Sequence, residues 1–316
     1  MSERLEDFSR PLSIDICVCT FRRPYLEQTL RSLAALKIPG EWKVDIIVAD
    51  NDVLPSASEL VERLAAELPF EVRYIHCPAA NISLARNACL DAATGGYLAF
   101  IDDDSTASPQ WLEKLVARAG ATGADAVLGP VNAVYRPSAP AWMWRGDIHS
   151  TRPVLVNGEI LTGYSGNVLL DRASPHVRGR RFNLALGRSG GEDTEYFSLL
   201  HQSGGRIAYA PDAIVHEPVS DERARFSWLA KRRFRSGQTH GRLLLTRRAA
   251  LPQIGLAAAK AVFCFVAAGL LAAVPHRRNG QALRGVMHAG VVSGLSGMRE
   301  LHLYGDKPAK GQAHAA

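Results

Sequence analysis

Residues 97–104 read Tyr-Leu-Ala-Phe-Ile-Asp-Asp-Asp. Five apolar residues of strand length halt at polar positions, the pattern of a short buried strand. Three carboxylates follow, and their mutual repulsion is costly unless a cation neutralises them. Toward the N-terminus the same grammar recurs: Ile14 to Cys19 (IDICVC) closes on the turn TFRRP, and Val44 to Ala49 (VDIIVA) closes on Asp50-Asn51-Asp52. Glu71 to Ile75 makes a further strand. Between them lie helical patterns: Leu26, Leu30, Leu33 and Leu36; Glu59 to Leu68; and Ser83 to Ala93 behind an N-cap near Asn81 or Ser83. Strands alternating with helices over the first 105 residues predict a Rossmann-like, doubly wound, mostly parallel α/β sheet. Its ligand crevice should lie beyond the C-terminal strand ends, where the polar clusters sit.

Farther along, a helix is expected over Trp111 to Ala119, strands and turns over 125–135 and 154–170, a short helix over Glu192 to Gln202, and two short strands about Pro211. This is an α+β extension of the sheet. The 316 residues are 47% hydrophobic, enough for a sizeable core, which excludes disorder, collagen and small disulfide scaffolds. Cysteines at 17, 19, 77, 89 and 264 show no framework spacing, and the N-terminus carries acids with no apolar stretch of a secretory signal. A reducing cytosol is expected, with Cys17 and Cys19 packed on one strand face.

Charge divides the chain. Residues 1–220 hold 21 Lys and Arg against 27 Asp and Glu, whereas 221–248 hold nine against two and 249–316 seven against two. A basic end on an acidic body suits an anionic partner, nucleic acid or a membrane leaflet. Residues 222–248 are basic and amphipathic, with Phe226, Trp228, Leu229 and Phe234 interleaved. They precede 21 residues, 254–274, whose one charge is Lys260. That length suffices to cross the ~30 Å hydrocarbon core, and basic residues on both flanks leave three readings open: an in-plane or re-entrant membrane helix, a span, or a soluble packing helix. Residues 1–220 are therefore expected to form the α/β domain and 221–316 a membrane-associating region.

No GxGxxG follows the first strand, and no GxxxxGK[ST], HExxH, GxSxG or zinc spacing occurs. If a nucleotide binds, side chains and a metal must hold its phosphates. Asp102-Asp103-Asp104 suits Mg²⁺ or Mn²⁺, which takes one or two protein carboxylates and completes its shell with water and diphosphate; a solvated acidic turn is the bland alternative. Asp50 could accept from a ribose hydroxyl or base N–H, or simply form its turn. Glu192 and Asp193 enter a helix behind Gly190-Gly191, where the dipole favours the ionised form a general base needs, or where they merely cap it. His216, closing AIVH, is a structural strand-end histidine or a third metal ligand.

Taken together, CVCTFRRP, VADN, NISLARNACL, FIDDDS, GGEDTEYFSLL and the strand ending at His216 resemble family 2 glycosyltransferases of the GT-A fold, over about residues 13–240. Among members the chain is most similar to bacterial exopolysaccharide enzymes of the succinoglycan type, which extend a lipid-linked oligosaccharide at the cytoplasmic face of the inner membrane. The resemblance implies an inverting transferase moving one sugar from a nucleotide sugar, a UDP-hexose such as UDP-glucose. It implies that Thr20, Arg22, Asp50 and Arg86 line the nucleotide and diphosphate pocket. Asp102 and Asp104 would be the outer members of the DxD motif on the metal, with Asp103 between them on the donor side. Asp193, beside Glu192, would be the catalytic base, His216 would complete the metal site, and Asn167 would belong to the acceptor side. The second strand ends in ADN where many members have DDxS, and the QxxRW motif of processive synthases is absent from Arg232-Arg233-Phe234-Arg235, so single addition is expected. Rival readings are a nucleotidyltransferase or sugar-nucleotide hydrolase on the same metal logic, and a nucleic-acid-binding protein using the basic stretch, which leaves the carboxylates unexplained.

Overall fold

A computed structural model describes residues 12–245, 250–298 and 301. The predicted alternation is present as β1 (Ser13–Thr20), α1 (Leu26–Ala34), β2 (Lys43–Asp50), α2 (Ser58–Ala65), β3 (Glu71–His76), α3 (Ile82–Ala92) and β4 (Tyr97–Asp102). The chain continues through β5 (Thr106–Ala107), α4 (Trp111–Thr122), β6 (Ala126–Leu128), β7 (Val131–Val134), α5 (Ala141–Arg145), β8 (Leu155–Val156), β9 (Glu159–Ile160) and β10 (Asn167–Asp171). It ends with α6 (Glu192–Gln202), β11 (Ile207–Tyr209), β12 (Val215–Pro218), α7 (Phe226–Leu245), α8 (Ala250–Leu270) and α9 (Pro275–Leu295).

Seven strands form one sheet in the order β11-β6-β10-β4-β1-β2-β3, parallel except for β10, which runs antiparallel to both β4 and β6. Period-two alternation sorts the buried strand residues onto two faces. Ile14, Ile16, Val18, Ile46, Val48, Ala99 and Ile101 pack with α1, α2 and α4, while Cys17, Ile47, Ala49, Leu98 and Phe100 pack with α3 and α6. Cys17 and Cys19 share the second face as expected, with Cys19 Sγ 3.9 Å from Cys89 Sγ. Asn81 caps α3, its Oδ1 accepting from the backbone N–H of Ser83 and Leu84.

The chain leaves β1 toward β2 and β3, then crosses back so that β4 lies on the other side of β1. The carboxyl ends of β1 and β4, paired Cys19 to Asp102, therefore flank the switch point where open α/β sheets bind ligands. A second sheet, β5-β12-β7, places Thr106 opposite His216 and so brings the segment after the acidic cluster to β12.

Residues 226–245 of the basic stretch form α7, its last three, 246–248, lie outside the described residues, and the apolar stretch forms α8, four residues earlier than expected at both ends. The helix after Pro275 was not predicted: glycines and polar residues interrupt its apolar period, because it packs through its glycines. A Cβ on Gly237 or Gly241 of α7 would overlap α9 backbone, and one on Gly290 or Gly294 of α9 would overlap α7 backbone, so the two helices cross in near contact. Gln238, buried at the crossing, donates from Nε2 to Ser293 Oγ at 3.0 Å. Met143 of α5, Leu229 of α7 and Leu283 of α9 share a small core that fastens these helices to the body.

Candidate active site

At the end of β4 the three aspartates face different surroundings. Asp103 turns inward: its Oδ2 accepts from Phe21 N–H at 3.3 Å, the Thr20 hydroxyl bonds to it, and Arg23 Nε stands 3.7 Å from Oδ1. Thr20 and Asp103, both buried, thus tie the β1 loop to the β4 loop at the expected nucleotide pocket. Burial first, and the Asp104 charge second, push the carboxyls of Asp102 and Asp103 up to about 7. Asp104 is held by Arg23 Nη2 at 3.8 Å and Arg223 Nη2 at 3.3 Å.

Arg223 also pairs with Glu217, whose carboxyl is pushed up by burial and then by Asp104. Glu217 therefore stands in the field of the acidic cluster, whereas His216, the expected third ligand, is exposed. Among the described residues no three His, Cys, Asp or Glu side chains gather into a metal cage. The donor set nonetheless fits a hard divalent ion: Asp102 and Asp104 offer carboxylate oxygen, carry excess negative charge that raises Asp102, and need supply only one or two ligands if diphosphate and water supply the rest.

Asp50 is wholly buried. Its carboxylate accepts from Asp52 N–H at 3.0 Å, Ala57 N–H at 2.8 Å and the Tyr74 hydroxyl at 2.9 Å, so it builds the turn after β2. Arg22 lies at the crevice mouth with φ 53°, and its Nε donates to Asp52 Oδ2 at 2.8 Å, holding that carboxyl below its usual range. A non-glycine residue at positive φ stores strain of a kind common at ligand sites. Asn167 is spent as well: Oδ1 accepts from Trp111 Nε1 at 2.7 Å, while Nδ2 donates to Pro130 O at 2.9 Å and Ala213 O at 2.8 Å. It bolts β10 to α4 and two loops.

Arg86 was expected near the diphosphate; it is buried, with Nη1 2.5 Å from Glu192 Oε1. Burial works against its charge, but Glu192, Asp193 and Asp102 outweigh it and raise the pKa, which makes Arg86 the counter-ion between the two acidic sites. Glu192 is correspondingly buried, its carboxyl pushed up by desolvation against the opposing pull of Arg86, and its Oε2 has no hydrogen-bond partner. Its side chain is turned to Arg86, while the expected catalytic role of this pair of acids falls to the more accessible neighbour. Asp193 has the accessible place. Gly190 and Gly191, at φ 85° and 96°, open α6 in the left-handed conformation against Arg235 and Thr239 of α7. Asp193 follows in the first turn, its Oδ1 accepting from Thr194 N–H at 2.7 Å.

Asp193 lines a cavity of about 320 Å³ with His149, Tyr164, Arg232, Arg233 and Arg235. Sequence reading missed this wall, because α7 is remote in the chain; the signal was the arginine run, attributed to a membrane surface. His149 is buried, and desolvation first lowers its pKa to about 4, so it is neutral; its Nε2 is 3.0 Å from Arg223 O and its ring stacks on Trp228 at 6.0 Å.

Comparison with known proteins agrees with this geometry. The sequence model of Glycosyl transferase family 2 matches residues 15–176. The succinoglycan biosynthesis protein ExoM of Rhizobium meliloti (strain 1021) is 57% identical over 297 residues, 93% of this chain and 96% of the relative. A glucosyl-dolichyl phosphate glucuronosyltransferase of Haloferax volcanii is 23% identical over 72% of this chain and 75% of its own. Among solved structures, the mannosyltransferase PcManGT from Pyrobaculum calidifontis in complex with GDP-Man and Mn²⁺ superposes with TM-score 0.63 at 18% identity, covering 91% of this chain and 88% of that one. S. aureus TarS 1–349 in complex with UDP-GlcNAc superposes with TM-score 0.54 at 16% identity, covering 91% and 93%. The fold is that of these GT-A glycosyltransferases.

Proposed function

The chain belongs to glycosyl transferase family 2, and from that premise we propose that it adds a single sugar, with inversion, in bacterial exopolysaccharide biosynthesis. The donor is a UDP-hexose, UDP-glucose foremost, and the acceptor is a lipid-linked saccharide. Likeness to the succinoglycan protein supports the pathway, and the nucleotide sugars held by the solved relatives support the donor class. The observation that carries the chemistry is Asp193 at the wall of a cavity, with buried Arg86 in the electrostatic field of both Asp193 and Asp102 at the switch point.

Asp193 takes the proton of an acceptor hydroxyl while that oxygen attacks the anomeric carbon. The bond from that carbon to the diphosphate breaks on the opposite side, so the configuration inverts. Asp102 and Asp104 would hold the divalent ion, which supplies electrostatic stabilisation to the departing diphosphate. Buried Arg86, paired with Glu192, sets positive charge behind the first turn of α6 that carries Asp193. His216 stays a candidate ligand, exposed beside the cluster.

Residues 1–220 act as the catalytic domain and 221–316 as a membrane-associating region whose α7 also walls the cavity. α8 is long and apolar enough to cross a membrane; Ala257 packs with Val291 and Leu295 of α9, and Leu256, Val262, Phe263 and Val266 are left exposed. We read it as an in-plane anchor on the cytoplasmic face of the inner membrane, aided by basic residues near the surface. Arg232, Arg233 and Arg235 of α7 line the cavity beside Asp193, which favours the transferase over a nucleic-acid-binding reading. Nucleoside diphosphate release from a panel of nucleotide sugars, with Mn²⁺, Mg²⁺ or EDTA and a membrane lipid extract, tests the proposal. Metal-dependent release from one UDP-sugar, stimulated by lipid, is expected. Pyrophosphate release, or turnover indifferent to acceptor, would instead mark a nucleotidyltransferase or a hydrolase.

A further inference from the structure

We propose that Arg223 is a resident counter-cation of the donor site: its guanidinium bridges Asp104 and Glu217 in the metal-free protein and gives way when a divalent cation arrives with the donor's diphosphate. The proposal rests on the donor-site reading above.

Arg223 lies in the turn between β12 and α7. Its Nη1 donates to Glu217 and its Nη2 to Asp104 Oδ2 at 3.3 Å, and all three side chains are less than a fifth exposed. Two carboxylates from separate segments repel at this spacing in a poorly hydrated place, and the guanidinium between them removes the repulsion. It supplies one positive charge where a divalent ion supplies two, and hard oxygen donors favour the latter. The Asp104 oxygen bonded to Arg223 is then contested. Binding of the metal costs the Arg223 contact, and the released guanidinium finds diphosphate oxygens nearby, a geometry its planar fork matches as well as a carboxylate.

The exchange is felt beyond the acidic cluster. The backbone carbonyl of Arg223 is bonded to His149 Nε2 at 3.0 Å, and its Cζ lies 5.8 Å from the Trp228 ring centroid. Trp228 in turn stacks on His149 and carries Arg232, with Cζ 5.4 Å from its centroid. His149 and Arg232 both line the cavity that holds Asp193. One residue thus touches the donor's metal site with its side chain and the acceptor wall with its main chain. Occupation of the first alters the second.

Mn²⁺ binding to the full-length protein, read as loss of the free-ion electron paramagnetic resonance signal with and without UDP, tests this directly. Arg223→Gln is expected to bind Mn²⁺ alone about tenfold more tightly than wild type, because a cation at contact distance shifts carboxylate affinity by about one pKa unit or more. It should also lose most of the tightening that UDP confers on the wild type. Arg223→Lys, which keeps the charge but not the fork, should fall between, and it carries the test if the Gln variant does not fold. A folded variant that binds Mn²⁺ alone no more tightly than wild type, or keeps the full UDP effect, overturns the proposal. Wild-type protein that binds no Mn²⁺ even with UDP overturns the donor-site reading itself.

Discussion

Asp193 and Glu192 are sequence neighbours with opposite fates, one at a cavity and one buried behind Arg86. Asp193→Asn keeps the shape and removes the proton acceptor; transfer should fall by about 10²–10⁴-fold while UDP binding, measured by calorimetry, is unchanged. Glu192→Gln leaves Arg86 buried without its partner charge, and should lower both thermal stability and activity. The aspartates of β4 make a pH prediction whose sign follows from burial. Asp102 and Asp103 titrate at about 7 in the folded chain, above about 3.9 in the unfolded one. Between these values the native state holds more protons, so stability is greatest below the unfolded value and declines as pH rises through the folded one. Urea denaturation in EDTA should give a lower midpoint at pH 8 than at pH 5, and Mn²⁺ should narrow the gap. At this scale the DxD-like cluster and Asp193 were legible, because carboxylates after a strand or at a helix start are visible as pattern. The burial of Thr20, Asp50, Asp103 and Asn167 was not, since the same polar types serve ligands and turns alike.

Among the elements, β10 and α7 decide most. Asn167 begins β10 and satisfies the Trp111 indole and two backbone carbonyls. Asn167→Ala should cost about 3 kcal/mol in denaturant titration, the scale of stranding buried polar groups. The crossing of α7 and α9 has no room for a side chain at Gly237. Gly237→Leu should separate the helices, cost about 3 kcal/mol, and depress transfer as well, because α7 carries Arg232, Arg233 and Arg235 of the cavity wall. Helix and strand positions through β4 followed from periodicity. α9 escaped because its interface is made of glycines, which leave no hydrophobic period to read.

For the whole molecule, the exposed face of α8 should bring the protein to bilayers. Co-flotation with anionic vesicles is expected, weakened by high salt, since each basic residue near the surface is worth about 1 kcal/mol. Phe263→Asp with Val266→Asp should leave the protein in the soluble fraction with donor binding intact; vesicle binding undiminished by these changes would count against α8 as the anchor. The sequence by itself determined the parallel α/β core, the acidic strand end and the basic, apolar C-terminal third, because each is written in local period, composition or charge. Tertiary structure alone decided which acids remain accessible, that Arg86 and Arg223 serve as counter-ions, and that an arginine-bearing helix from the far end of the chain closes the cavity. Those outcomes depend on burial and on partners more than 100 residues away, as for Arg86 with Glu192 and Asp104 with Arg223, and no local pattern encodes them.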